Sequence, residues 1–251
     1  MNDEYGEIME FLSKLNCKFK VVEDKINPKI QAEYFKYSNS FSRDELSADE
    51  AQKLTDCLYN LSIAESEKKK ALTLLSHLGT VVAYRQIEKY HNDCQSEELK
   101  QWSALALQEC GMFLENSLLD ENISLITSGL GGLQDKLRFY YLILPLPDKL
   151  FTVAQQDIIE KELDFAATEF NCIVETVDLS DEYVGLTALI PMTVAIAKFV
   201  NTAIEKCNEL GGFVLEGYFA TNQEIPDENK IKHIIGKIRK NEELSKDDLD
   251  I

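Results

Sequence analysis

With 251 residues, 45% of them hydrophobic, and a formal net charge of -18, the chain can fill one large or two small cores and repels phosphate backbones and anionic lipid surfaces. Nucleic acid and membrane are therefore not expected as partners. Six cysteines (Cys17, Cys57, Cys94, Cys110, Cys172 and Cys207) are spread one per element without a Cys-x-x-Cys spacing, which argues for a reducing compartment and against a zinc or redox motif.

The first residues, Met1-Asn2-Asp3-Glu4, are acidic and open an amphipathic helix through Ile8, Phe11, Leu12 and Leu15, a pattern unlike a secretory leader. No apolar run is long enough to span a bilayer, so a soluble, cytoplasmic chain is expected. Pro28 to Tyr37 reads as a weaker helical segment. From Ser47 to about Ile126 the pattern is almost entirely amphipathic helix, with no Pro and little Gly, in pieces short enough for antiparallel hairpins. Ser47 with Glu50 makes a capping box, opening a stripe of Ala51, Leu54, Leu58 and Leu61. Trp102, the only tryptophan, shares a stripe with Leu99 and Ala106 and is expected in the core.

Within this region Ala71 to Gly79 lines up with Ser103 to Gly111 at an offset of 32 residues. Each run ends in Gly and is followed at once by a second apolar helix, through Val81, Val82, Arg85 and Tyr90 in one case and Met112, Phe113 and Leu118 in the other. The pattern resembles a pair of HEAT-type helical repeats, which implies an all-α array over residues 1–128 whose surface binds another protein. The helix from Ser47 and the segment from Pro28 would then serve as cap or partial repeat. A plain helical bundle with a chance echo is the alternative.

Past Gly129-Leu130-Gly131-Gly132 the periodicity changes. Leu137 to Leu144 is an aromatic and branched strand stopped by Pro145 and Pro147. Thr152 and Gln155 form a capping box before a helix with Ile159, Leu163, Ala166, Ala167 and Phe170 on one stripe. Cys172 to Leu179 and Tyr183 to Ile190 are two strands joined by the turn Ser180-Asp181-Glu182. Pro191 then suits the first turn of a helix carrying Ile196, Phe199, Val200, Ala203, Ile204 and Cys207, stopped by Gly211-Gly212. Phe213 to Thr221 is the last strand. This β-α-β-β-α-β order over residues 133–225 resembles the ferredoxin-like fold, an antiparallel sheet with both helices on one face, so the chain is expected to be α+β overall.

That fold leaves a second sheet face to be covered. Tyr140, Leu142 and Leu144 lie on it, and burying one such side chain stabilises by roughly 1.5–3 kcal/mol. The candidates for cover are the N-terminal region of the chain, a second copy stacked sheet to sheet, or a ligand. Residues 226–251 add a helix with Ile231, Ile234, Ile235 and Ile238 on one side and Lys230, Lys232, Lys237, Arg239 and Lys240 around the rest, then an acidic end. Tyr140, Leu142 and the four isoleucines are the candidate interaction surface.

Chemical motifs are sparse. The glycine loop, Gly129, Gly131 and Gly132, with Lys136 and Arg138 beside it, is a candidate site for a small anion, although it precedes a strand where phosphate loops precede a helix. Asp178, Asp181 and Glu182 crowd a hairpin without an EF-hand spacing and read as a solvated turn. His77, His91 and His233 stand apart, with no local Cys, Asp or Glu at a ligand spacing, so no metal or cofactor is expected. The third strand of the sheet carries no basic residue and no aromatic platform, which removes the RNA-recognition variant of the fold. Two readings follow. The first is a non-catalytic interaction or scaffold protein, with the ferredoxin-like part dimerising or bracing; the second is a metabolite sensor, since ferredoxin-like domains of the ACT type bind small ligands.

Overall fold

The computed structural model describes residues 18–41, 48–120, 122–240 and 242. The helix expected through Ile8 to Leu15, Ser47 of the capping box and Cys17 lie outside them. The chain is α+β and divides into two compact units, Met1–Gln134 and Asp135–Ile251.

In the first unit the described elements run β1 (Lys18–Val21), α1 (Pro28–Ser38), α2 (Ala48–Tyr59), α3 (Glu65–His77), α4 (Val81–Asp93), α5 (Glu97–Leu119), β2 (Ile123–Ile126) and β3 (Gly132–Leu133). Local chemistry sets most boundaries. Asn27 caps α1 through the Lys29 amide with Pro28 at the first turn, Thr80 caps α4 through Ala83, and Ser96 caps α5 through Leu99. Trp102, Tyr34, Leu72, Leu75, Ile87 and Leu105 form the buried centre, and the rings of Tyr34 and Trp102 meet edge to face at 5.1 Å. Lys69 Nζ lies 4.4 Å from the Trp102 ring centroid.

Three expectations change here. Gly79 adopts φ +54° and ends α3 as a left-handed stop, but Gly111 sits inside α5, a single helix of 23 residues. The second repeat therefore has no internal turn, and the 32-residue echo does not make a HEAT pair. A Cβ on Gly111 would stand 3.3 Å from the Tyr84 ring, so this glycine serves close approach between α4 and α5. Leu61 is no stripe residue, because α2 stops at Tyr59 and leaves it 96% exposed. Nor is the unit all-α: β1 and β2 pair in parallel from Lys18↔Ile123 to Val21↔Ile126. Asn116 fastens the second strand to α5, its side chain accepting from the Ile123 amide at 2.8 Å and donating to the Ile123 carbonyl at 3.1 Å.

The second unit contains β4 (Lys136–Pro145), α6 (Val153–Phe170), β5 (Ile173–Leu179), β6 (Val184–Pro191), α7 (Ile196–Glu209), β7 (Val214–Thr221) and α8 (Glu228–Arg239). Its strands lie in the order β7-β4-β6-β5, all antiparallel, which is the ferredoxin-like arrangement. Phe139, Tyr141 and Ile143 of β4 and Val184, Leu186 and Ala188 of β6 pack against Ile159 and Leu163 of α6 and Phe199, Val200 and Ala203 of α7. The Thr152–Gln155 capping box opens α6 as read from the sequence, and Asn171 closes it in the left-handed region at φ 54°. Pro191 is different. It ends β6 opposite Lys136, where a missing N–H costs no interior ladder bond, and α7 begins only at Ile196.

Candidate functional site

The densest polar cluster is buried in the helical unit. Glu109 projects from the apolar stripe of α5, where it is 7% exposed, and gathers side chains from α1 and α3. Tyr34 Oη donates to its Oε2 at 2.7 Å, Ser76 Oγ to the same oxygen at 2.8 Å, and Ser38 Oγ to Oε1 at 2.8 Å. His77 Nε2 lies 2.7 Å from Ser38 Oγ and 3.6 Å from Glu109 Oε2. Burial, reinforced by the neighbouring Glu109 carboxyl, holds the Tyr34 hydroxyl proton on well above its ordinary range.

A serine within hydrogen-bond reach of a histidine and a carboxyl invites a nucleophile reading. The geometry does not support it. Ser38 gives its single proton to Glu109, so it accepts from His77, whose Nε2 must then carry a hydrogen and cannot take one. The carboxyl also sits beside Nε2, the nitrogen facing the serine, where the orienting acid of a triad holds the opposite nitrogen. Tyr34 and Ser76 are fully buried and Ser38 nearly so, which leaves a substrate no approach. The cluster locks α1, α3 and α5 in register. The sequence reading missed it because the partners are 39 and 33 residues apart, although a carboxyl on an apolar stripe was its signal.

The glycine loop does not form an anion cradle. Gly131 takes φ +66°, with the carbonyls of Glu23 and Asp24 where a Cβ would stand, and its amide donates to Ser128 O at 3.1 Å. The Gly132 amide donates to Glu23 O at 3.3 Å, so these N–H groups are spent on the loop, with carbonyl oxygens rather than open space against it. Gly129 lies with the buried Leu130 in the turn that this Gly131 bond closes. Lys136 is 7% exposed with Asp135 at 3.4 Å, and Arg138 forks onto Glu175 at 2.5 and 2.8 Å. Both cations already face carboxylates.

The proposed interaction surface is also corrected by position. Tyr140, Leu142, Ile231, Ile234 and Ile235 are buried inside the single chain, and Ile238 is half-buried. Helix α8 packs on β7, so its isoleucines meet this chain and not an open surface. Leu144, Leu189 and Phe219 on the same sheet face are buried as well, which leaves no exposed apolar face for stacking a second sheet. Strand β6 is buried along its whole length. Among the described residues no group of three or more His, Cys, Asp or Glu could hold a metal ion, Asp178, Asp181 and Glu182 included, and no helix is long and apolar enough to cross a membrane.

An open concavity is present among the described residues of the helical unit. A groove of about 280 Å³ runs between α4 and α5, with Val81, Tyr84, Leu107, Gly111 and Leu114 supplying its apolar part. Lys20 from β1, Arg85 and Glu115 form its charged rim. Val81 and Val82 at the start of α4 are 57% and 70% exposed.

No family model matches the chain, and no curated protein matches it. Among solved structures, a transposase candidate from Deinococcus radiodurans R1 is similar over 43% of this chain and 93% of its own, at 14% identity and a TM-score of 0.34. A likeness that slight carries no argument about this chain.

Proposed function

We propose that the protein works by binding another protein, without catalysis, through the groove between α4 and α5, with the ferredoxin-like unit dimerising or bracing it. The observation that carries this reading is the groove itself: apolar inside, charged at its rim, and lined by the solvent-exposed Val81 at the start of a well-capped helix, with the exposed Val82 next to it in sequence. The metabolite-sensor alternative keeps its ferredoxin-like unit but not the glycine loop as a ligand cradle, because the Gly131 and Gly132 amides meet neighbouring carbonyls.

Tagged protein recovered from its native cell extract should bring down a stoichiometric partner. The Val81→Asp/Val82→Asp variant, altered only at exposed positions, should release that partner while keeping its fold. Recovery of the tagged chain with neither a different protein nor an untagged copy of itself, or a partner indifferent to both substitutions, removes the reading.

A further inference from the structure

We infer that the groove between α4 and α5 takes residues 242–251 from a second copy of this chain, an inference that rests on the binding role proposed above and names its occupant. Charge is the first support. The chain carries 44 acidic against 26 basic side chains, yet the ionic lining of this groove is inverted, with Lys20 and Arg85 against Glu115 alone. A ligand drawn to such a rim is acidic. Both cations are available for exchange: Lys20 meets Glu115 and Arg85 meets Glu88, each at 2.6 Å, but these pairs are solvent-exposed, and exposed pairs are weak enough to swap partners.

Apolar matching is the second support. The groove presents Val81, Tyr84, Leu107 and Leu114, with the Tyr84 ring close to Gly111. Residues 242–251 read Glu-Glu-Leu-Ser-Lys-Asp-Asp-Leu-Asp-Ile, five acids and one lysine interspersed with Leu244, Leu249 and Ile251. Aliphatic side chains would enter the groove while the acids meet Lys20 and Arg85 at its edge. Ten residues extended span at most about 33–36 Å, ample for a groove along a helix of 13 residues at about 1.5 Å per residue.

Light scattering across a concentration series, with a labelled peptide of residues 242–251 followed by fluorescence polarisation, tests this. The full chain is expected to self-associate as concentration rises, and both deletion of residues 242–251 and the Lys20→Glu/Arg85→Glu variant should return it to a monomer. The peptide should bind the shortened chain, and bind the charge-reversed one at least tenfold more weakly, with Trp102 emission and far-UV dichroism showing both variants folded. A full chain that stays monomeric, or association indifferent to both changes, overturns the inference. If a partner from extract is still released by Val81→Asp/Val82→Asp in that event, the binding role stands and only this occupant is rejected.

Discussion

The Tyr34 hydroxyl donates to Glu109 Oε2 at 2.7 Å across 75 residues of chain, joining the first described helix to the longest one. Ser38 and Ser76 converge on the same carboxyl. Replacing Glu109 by Ala removes the acceptor of the buried Tyr34 and Ser38 hydroxyls, while Ser76 keeps the Thr73 carbonyl at 2.7 Å, and should cost about 2–5 kcal/mol, whereas Glu109→Gln keeps one acceptor oxygen and should cost about 1–3 kcal/mol. Urea denaturation followed at Trp102 measures both. Equal, sub-kilocalorie losses would show that the cluster does not hold the helices.

The two glycines of the sequence echo should respond differently. Gly79→Ala forces a side chain into φ +54° and sets its Cβ 2.8 Å from that of Phe113, so a loss of at least about 1–2 kcal/mol is expected. At Gly111 the helix gains about 1 kcal/mol of propensity, offset by a 3.3 Å contact with the Tyr84 ring, and the net change should stay near zero. Thermal melts of the two variants side by side decide it.

In the sheet, Gly185 faces Tyr140 so closely that a Cβ would stand 2.6 Å from the hydroxyl oxygen. Gly185→Ala should destabilise the second unit, and Tyr140→Phe, which removes that oxygen, should recover much of the loss. The expected outcome is a non-additive cycle with coupling of about 0.5–3 kcal/mol. Strict additivity would disprove the contact.

Burial pushes the Cys110 and Cys172 thiols up to about 11 and that of Cys207 to about 12, from an ordinary value of 9.0. Since these pKa values rise on folding, the native chain keeps protons that the unfolded chain sheds, and stability is complete below pH 9 and declines as pH climbs from there toward 11–12. Melting temperature should therefore fall across that window. Native labelling with iodoacetamide at pH 8 should spare these three while reaching the half-exposed Cys57 and Cys94, as peptide mass spectrometry would show.

Much of the second unit was legible because each of its elements buries one stripe or one face. The Thr152–Gln155 box, the Gly212 stop at φ +59° and the strand read from Leu137 all stand within a residue or so of their positions in the structure. Pro191 misled because a proline suits a strand end as well as a helix start. In the first unit the ribbon of β1 and β2 was invisible, since each strand is only four residues long and its partner lies at the far end of the helices. Gly111 shows the same limit: whether a glycine stops a helix or admits a neighbouring ring is decided by Tyr84, which local spacing does not reveal. The Glu109 cluster is a tertiary fact of that kind, and the interaction surface assigned to α8 failed because an amphipathic helix reads alike whether it docks at home or abroad.

The parallel pairing of Lys18–Val21 with Ile123–Ile126 brings together the first two described strands of the helical unit, which flank its helices in sequence, like a clasp. Tension applied at the leading end of one strand and the trailing end of the other would load that ribbon in shear, so its bonds must fail together and not unzip singly. Resistance to pulling along this axis is thus governed by the rate of opening one short junction, whatever the stability of the helices it encloses.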